Sequence, residues 1–177
     1  MKRLIASIAI LLIITSYLLS CEKDDLCAEG TPTTPGLVID FYRTENPTAL
    51  KSVTNFKCYV PGSTDTIKVN GTGVILPLKE DADKVQWALE YNYKPTIGDT
   101  ISNVALMEIR YKRTDTYVSR ACGFKTTFLL DNSSEQSLNP TVTDYNTEDN
   151  LDLYIGETIV NTPIIENEDE THINIYF

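Results

Sequence analysis

The sequence predicts an all-β fold, an antiparallel β-sandwich (immunoglobulin-like or related) that follows a cleaved signal peptide and a short tether. Three observations point there. From Leu37 onward apolar residues recur with a period of two, the spacing that turns one face of a strand toward a core. Turn-forming residues punctuate these runs at Pro61-Gly62, Asn70-Gly71-Thr72-Gly73, Ile97-Gly98-Asp99 and Asp131-Asn132-Ser133. No segment beyond the first 20 residues keeps a helical period; the best helical rival, Lys84 to Tyr91, yields to strict alternation.

The elements follow in chain order. Lys2 and Arg3 precede an apolar and small-residue run from Leu4 to Ile14, and Leu18-Leu19-Ser20 leads into Cys21. A basic start, a short apolar stretch and a small-residue processing site make a secretory signal, too short and too early for a spanning helix. The stretch resembles the bacterial lipobox, which implies that Cys21 is acylated and becomes the first residue of the processed chain. Leu19 stands where that pattern more usually has a small residue. The expected domains are therefore the signal peptide (1–20), the lipidated Cys and tether (21–36) and one sandwich domain (37–177).

The tether holds charge, Thr and Pro but little to bury, and Pro32 and Pro35 extend it. Its opening, Glu22-Lys23-Asp24-Asp25, resembles the signal that sends lipoproteins of the Bacteroidota to the outer face of the outer membrane. The rival reading is an ordinary charged tether on a protein facing the periplasm.

Within the domain, Leu37, Ile39 and Phe41 alternate with Val38, Asp40 and Tyr42. Val85, Trp87, Leu89, Tyr91 and Tyr93 share one face, as do Ala105, Met107, Ile109 and Tyr111. The same alternation assigns strands to Phe124–Leu130, Leu151–Ile155 and Ile173–Phe177. Asn132 to Asn150 reads as a long polar loop with one weak edge strand at Thr141–Tyr145. Asn70–Gly73 reads as a hairpin turn, and Glu166–Glu170 as an acidic loop closing a hairpin into the last strand.

Composition narrows the function classes. The chain has 15 Lys+Arg and 25 Asp+Glu; Lys2 and Arg3 leave with the signal, so the processed chain carries 13 bases against 25 acids, a net −12. That balance argues against nucleic acid and against electrostatic adhesion to anionic lipid, leaving acyl chains to hold the protein. A single histidine, His172, restricts acid–base chemistry near neutral pH; its strand parity with Asn174 and Tyr176 places it on the rim. No nucleophile elbow, zinc-protease or phosphate-loop motif is present, so no catalytic residue, metal ligand or cofactor is assigned. Asp144–Asp149 starts like a calcium loop, but has Asp149 at position six and Ile155 at position twelve, where an EF-hand needs Gly and Glu. A looser loop-bound calcium at Glu166–Glu170 or Asp144–Asp149 stays open. Asp65-Thr66-Ile67 and Asp99-Thr100-Ile101 resemble a bacterial O-glycosylation acceptor.

With Cys21 acylated, three cysteines remain in an oxidising compartment. Cys58, in Asn55-Phe56-Lys57-Cys58-Tyr59-Val60, suits a strand as a small hydrophobe and is expected to be a free thiol. Cys27 lies in a tether that nothing else fastens, so the expected bridge is Cys27–Cys122. A zinc site is the rival, with poor ligand spacing.

Cys21-Glu22-Lys23-Asp24-Asp25-Leu26-Cys27, Leu37-Val38-Ile39-Asp40-Phe41-Tyr42, Ser119-Arg120-Ala121-Cys122-Gly123-Phe124 and His172-Ile173-Asn174-Ile175-Tyr176 together resemble a family of short flavobacterial outer-membrane lipoproteins. The likeness runs over nearly the whole processed chain, and that family's two consistent cysteines fall on Cys27 and Cys122. The family lends no activity. The expectation is a non-enzymatic interaction module held in lipid through Cys21, serving an outer-membrane protein partner. The alternative is a glycan-binding surface lipoprotein that uses Trp87, Tyr91 and Tyr93.

Overall fold

The structure, a computed structural model, describes residues 26–31, 33–93, 100–131, 139–145 and 151–177, with the backbone alone at Tyr93. The lipidation and export-signal residues Cys21, Glu22, Lys23, Asp24 and Asp25 lie outside the described residues. The chain divides into two compact units: residues 33–116 with 125–177, and residues 1–32 with 117–124.

Twelve strands are assigned among the described residues: β1 (Leu37–Arg43), β2 (Asn46–Leu50), β3 (Val53–Tyr59), β4 (Thr66–Gly71), β5 (Gly73–Leu76), β6 (Lys84–Tyr93), β7 (Ile101–Ser119), β8 (Gly123–Leu130), β9 (Thr141–Asp144), β10 (Glu157–Val160), β11 (Ile164–Ile165) and β12 (Ile173–Tyr176). They form two sheets, mostly antiparallel, and the fold is a β-sandwich. One sheet runs β10-β12-β1-β2 with β5 also on β1; the other runs β11-β8-β7-β6-β3-β4 with β9 also on β7. One pairing is parallel: β1 lies beside β12, with Ile39 opposite Ile173 and Phe41 opposite Ile175.

Alternation built the core as the sequence implies. Leu37, Ile39 and Phe41 are buried, as are Val85, Trp87 and Leu89, then Ala105, Met107, Ile109 and Tyr111, then Ile173, Ile175 and Phe177. In β3 the buried residues are Val53, Phe56 and Cys58, a spacing of three and then two. A bulge between Val53 and Phe56 absorbs the extra residue, with Asn55 at φ 54°. An aromatic cluster joins the sheets: Phe41 meets Phe56 at 5.1 Å and Phe177 at 5.6 Å, and Tyr154 meets Phe177 at 5.3 Å.

Several expectations are corrected. Asn70–Gly73 is no hairpin turn: β4 and β5 belong to different sheets, so this segment carries the chain across the sandwich. Gly73 is needed there because a Cβ would stand 2.6 Å from the Ile39 carbonyl oxygen. Glu166–Glu170 likewise crosses sheets, from β11 to β12. Leu151–Ile155 is no strand. It is held irregularly, with Asn103 Nδ2 donating to the Asp152 carbonyl and Tyr154 Oη to the Leu89 carbonyl. The Thr141–Tyr145 strand does exist, as β9 paired with β7.

Asn139 was not foreseen. Its buried side chain accepts from Arg110 N–H at 3.0 Å and donates to the carbonyls of Arg110 at 2.7 Å and Asp131 at 2.9 Å. It stands in for backbone pairing beside β7. Asn139→Ala removes these three hydrogen bonds, with an expected loss of about 1–3 kcal/mol in urea unfolding.

Candidate functional site

The described part of the unit of residues 1–32 and 117–124, residues 26–31 and 117–124, holds a disulfide. Cys27 and Cys122 are bonded, with Cα atoms 4.9 Å apart and 95 positions apart in sequence. Two turns present the half-cystines. In one, Thr31 N–H and Oγ1 both donate to the Ala28 carbonyl, with Gly30 at φ 85°. In the other, Arg120–Cys122 links β7 to β8, Cys122 N–H donates to Ser119 Oγ, and Gly123 takes φ 71°, as a three-residue hairpin loop requires. Tyr117 and Phe124 meet edge to face at 5.5 Å, and both are exposed. Phe124 therefore departs from the buried face expected of it; Thr126, Phe128 and Leu130 keep to that face. A recess of about 520 Å³ is lined by Leu26, Ala28, Thr31 and residues 117–122.

In the sandwich unit, Cys58 is buried and unbridged, and burial pushes its thiol up to about 12, so it stays protonated. Trp87 is 6 % exposed, with no partner for its Nε1–H. It lines an apolar recess of about 280 Å³ with Val60, Ile67, Leu78 and Val85. Tyr91 packs among Phe56, Tyr154 and Phe177, and Lys51 Nζ lies 5.3 Å from its ring centre. Trp87 is thus buried and Tyr91 half-buried among other rings, and the side chain of Tyr93 lies outside the described residues.

His172 is a correction. It is not a rim residue: its exposure is 0 %. Its N–H donates to the Val38 carbonyl and its Nδ1 accepts from Val38 N–H, both at 3.0 Å, so ring and backbone together close the β1–β12 ladder. Nδ1 must hold a lone pair there, which puts the hydrogen on Nε2, a buried atom without an acceptor. Sequence parity missed this because the ladder begins one residue later, at Ile173.

Burial lowers the His172 pKa from its ordinary 6.5, with Glu170 and Glu168 pulling the other way. The neutral form is the folded form, so its contribution is complete above about 6.5 and is lost as pH falls from there through the folded-state value. Protonation would set a donor against the Val38 N–H. Urea unfolding at stepped pH is expected to show this acid-side loss. In His172→Asn, whose amide oxygen can still accept from Val38, the step should vanish.

Two acids of the 166–170 loop serve the fold. Glu168 Oε1 accepts from Gly36 N–H at 2.7 Å and Glu170 Oε2 from Thr162 Oγ1 at 3.1 Å. Among the described residues no three His, Cys, Asp or Glu side chains are grouped to hold a metal ion. The Asp144–Asp149 stretch lies outside the described residues beyond Tyr145.

Residues 51–177 match the model of a family described as a family of unknown function (DUF6452). The matched stretch includes Cys58 and Cys122; β1, β2 up to Leu50, and Cys27 precede it. No curated protein and no solved structure matches the chain.

Proposed function

The chain belongs to the DUF6452 family of unknown function, and from that starting point we propose that it is a lipid-anchored cell-envelope protein, a non-enzymatic accessory subunit or interaction module of an outer-membrane complex. The observation that carries this reading is the Cys27–Cys122 bridge. A structural disulfide belongs to an oxidising compartment, which agrees with an export signal in residues 1–20. Its first cysteine stands six positions after Cys21, so a pull on an acyl anchor there passes into the β7–β8 turn through a covalent link.

Glu22–Asp25, with the likeness to flavobacterial outer-membrane lipoproteins, favours the outer leaflet over the periplasmic one. The one histidine is committed to the Val38 peptide, which leaves no imidazole for proton transfer. Burial of Trp87 and half-burial of Tyr91 support the interaction-module reading over the glycan-binding alternative.

The test is affinity purification of the tagged protein from its native membrane in mild detergent, after external protease treatment of intact cells. Surface cleavage and a stoichiometric membrane-embedded partner are expected. Recovery as an isolated monomer in several detergents contradicts the subunit reading, and protease resistance places the domain on the periplasmic side.

A further inference from the structure

The three most exposed large apolar side chains among the described residues are Leu26 at 84 %, Phe124 at 67 % and Tyr117 at 56 %. All three belong to the disulfide-bonded unit of residues 1–32 and 117–124. Other exposed apolar side chains among the described residues, Tyr145 and Ile164 foremost, reach 49 % at most; here three are held further out to solvent beside a cross-link and two tight turns. The described part of this unit is also neutral, with Glu29 and Arg120 its only charged side chains, in a processed chain of net −12.

Cys21 precedes Leu26 by five residues. Even fully extended, five residues span at most about 18 Å. An acylated Cys21 would therefore keep Leu26 within that distance of the bilayer surface, where even a weak affinity for lipid is satisfied by local concentration. An aromatic pair with one hydroxyl, an exposed leucine and no net charge suit the layer between headgroups and acyl chains.

We infer that the Leu26–Tyr117–Phe124 surface is a membrane foot, seated in the interfacial layer of the leaflet that holds the anchor. This rests on the lipid-anchor reading above. The foot gives the protein a second point of membrane contact, and the Cys27–Cys122 bridge holds its two halves together.

The probe is phosphatidylcholine vesicles, assayed by flotation with the processed chain (from residue 21) carrying Cys21→Ser, so that no acyl chain contributes. Weak partition is expected, falling at least about tenfold in Tyr117→Ser/Phe124→Ser. Leu129→Ser/Ile164→Ser, which removes an exposed apolar pair on β8 and β11, should leave partition unchanged. Retention of the Cys27–Cys122 bridge and an unchanged urea midpoint establish that the foot variant is folded. Equal partition of parent and foot variant, absence of partition, or partition that requires anionic phosphatidylglycerol overturns the foot. The anchor is read separately, from the mass of the Cys21 peptide of membrane-extracted protein, so the two ideas fail independently.

Discussion

Removal of the Cys27–Cys122 bridge is expected to destabilise the protein by up to about 4–5 kcal/mol. The bridge joins residues 95 positions apart, and in the chain-entropy account a loop of that length restricts the unfolded chain by about 4.7 kcal/mol. The figure is an upper bound, because the folded variant also gains freedom in the segment before Thr33. For a chain of this size each kcal/mol moves the midpoint by about 2–4 °C, so thermal unfolding should fall by about 10 °C. The measurement is urea and thermal unfolding of Cys27→Ser/Cys122→Ser beside the parent. Unfolding exposes Cys58, which is buried only in the folded state, so the measurement is made at about pH 6.5, where a free thiol stays protonated and exchanges slowly with the bridge. A loss under about 1 kcal/mol would mean that the bridge does not constrain the unfolded chain.

The second large effect is expected at Phe41. Its ring is fully buried in β1 and touches Phe56 of the opposite sheet and Phe177 beyond β12. Truncation opens a cavity where the two sheets meet, and β1, hydrogen-bonded on both sides, has little freedom to collapse into it. Phe41→Ala should lose about 3–5 kcal/mol, and Phe41→Leu a fraction of that. Tyr42, the next residue on the opposite face, stacks on Tyr176 at 5.4 Å and is half-buried; Tyr42→Ala should lose under about 1.5 kcal/mol. Equal losses at 41 and 42 would mean that β1 does not face the core as described.

What the sequence disclosed, and what it did not, follows from how far each signal reaches. Period-two alternation is local, and it identified the buried faces of β1, β6, β7 and β12 because one residue's parity fixes its neighbour's. Turn residues are local too, and say only that the chain changes direction. Asn70–Gly73 and Glu166–Glu170 have hairpin composition yet carry the chain between sheets, a fact decided by which strand waits on the far side. Parity also fails where a strand ends: His172 keeps the parity of Asn174 and Tyr176 but lies just before the ladder, where its ring replaces a peptide partner. Phe124 keeps the parity of Thr126 and Phe128, and parity cannot say whether anything covers a face. Asn139 and the β1–β12 parallel pair depend on contacts between distant positions, for which no local pattern exists.

These gaps bear on function because the residues the sequence made most suggestive serve the fold. His172, Trp87, Tyr91 and the acids Glu168 and Glu170 are engaged in strand pairing, packing or loop hydrogen bonds. The most exposed apolar side chains among the described residues, Leu26, Tyr117 and Phe124, lie beside the disulfide instead, and Leu26 is near Cys21 in sequence.

The most direct test of the account is the mass of the N-terminal peptide of the protein extracted from its own membrane fraction. The expected chain begins at Cys21, with residues 1–20 gone and Cys21 carrying acyl groups. An unmodified Cys21, or a chain that begins elsewhere, would contradict it.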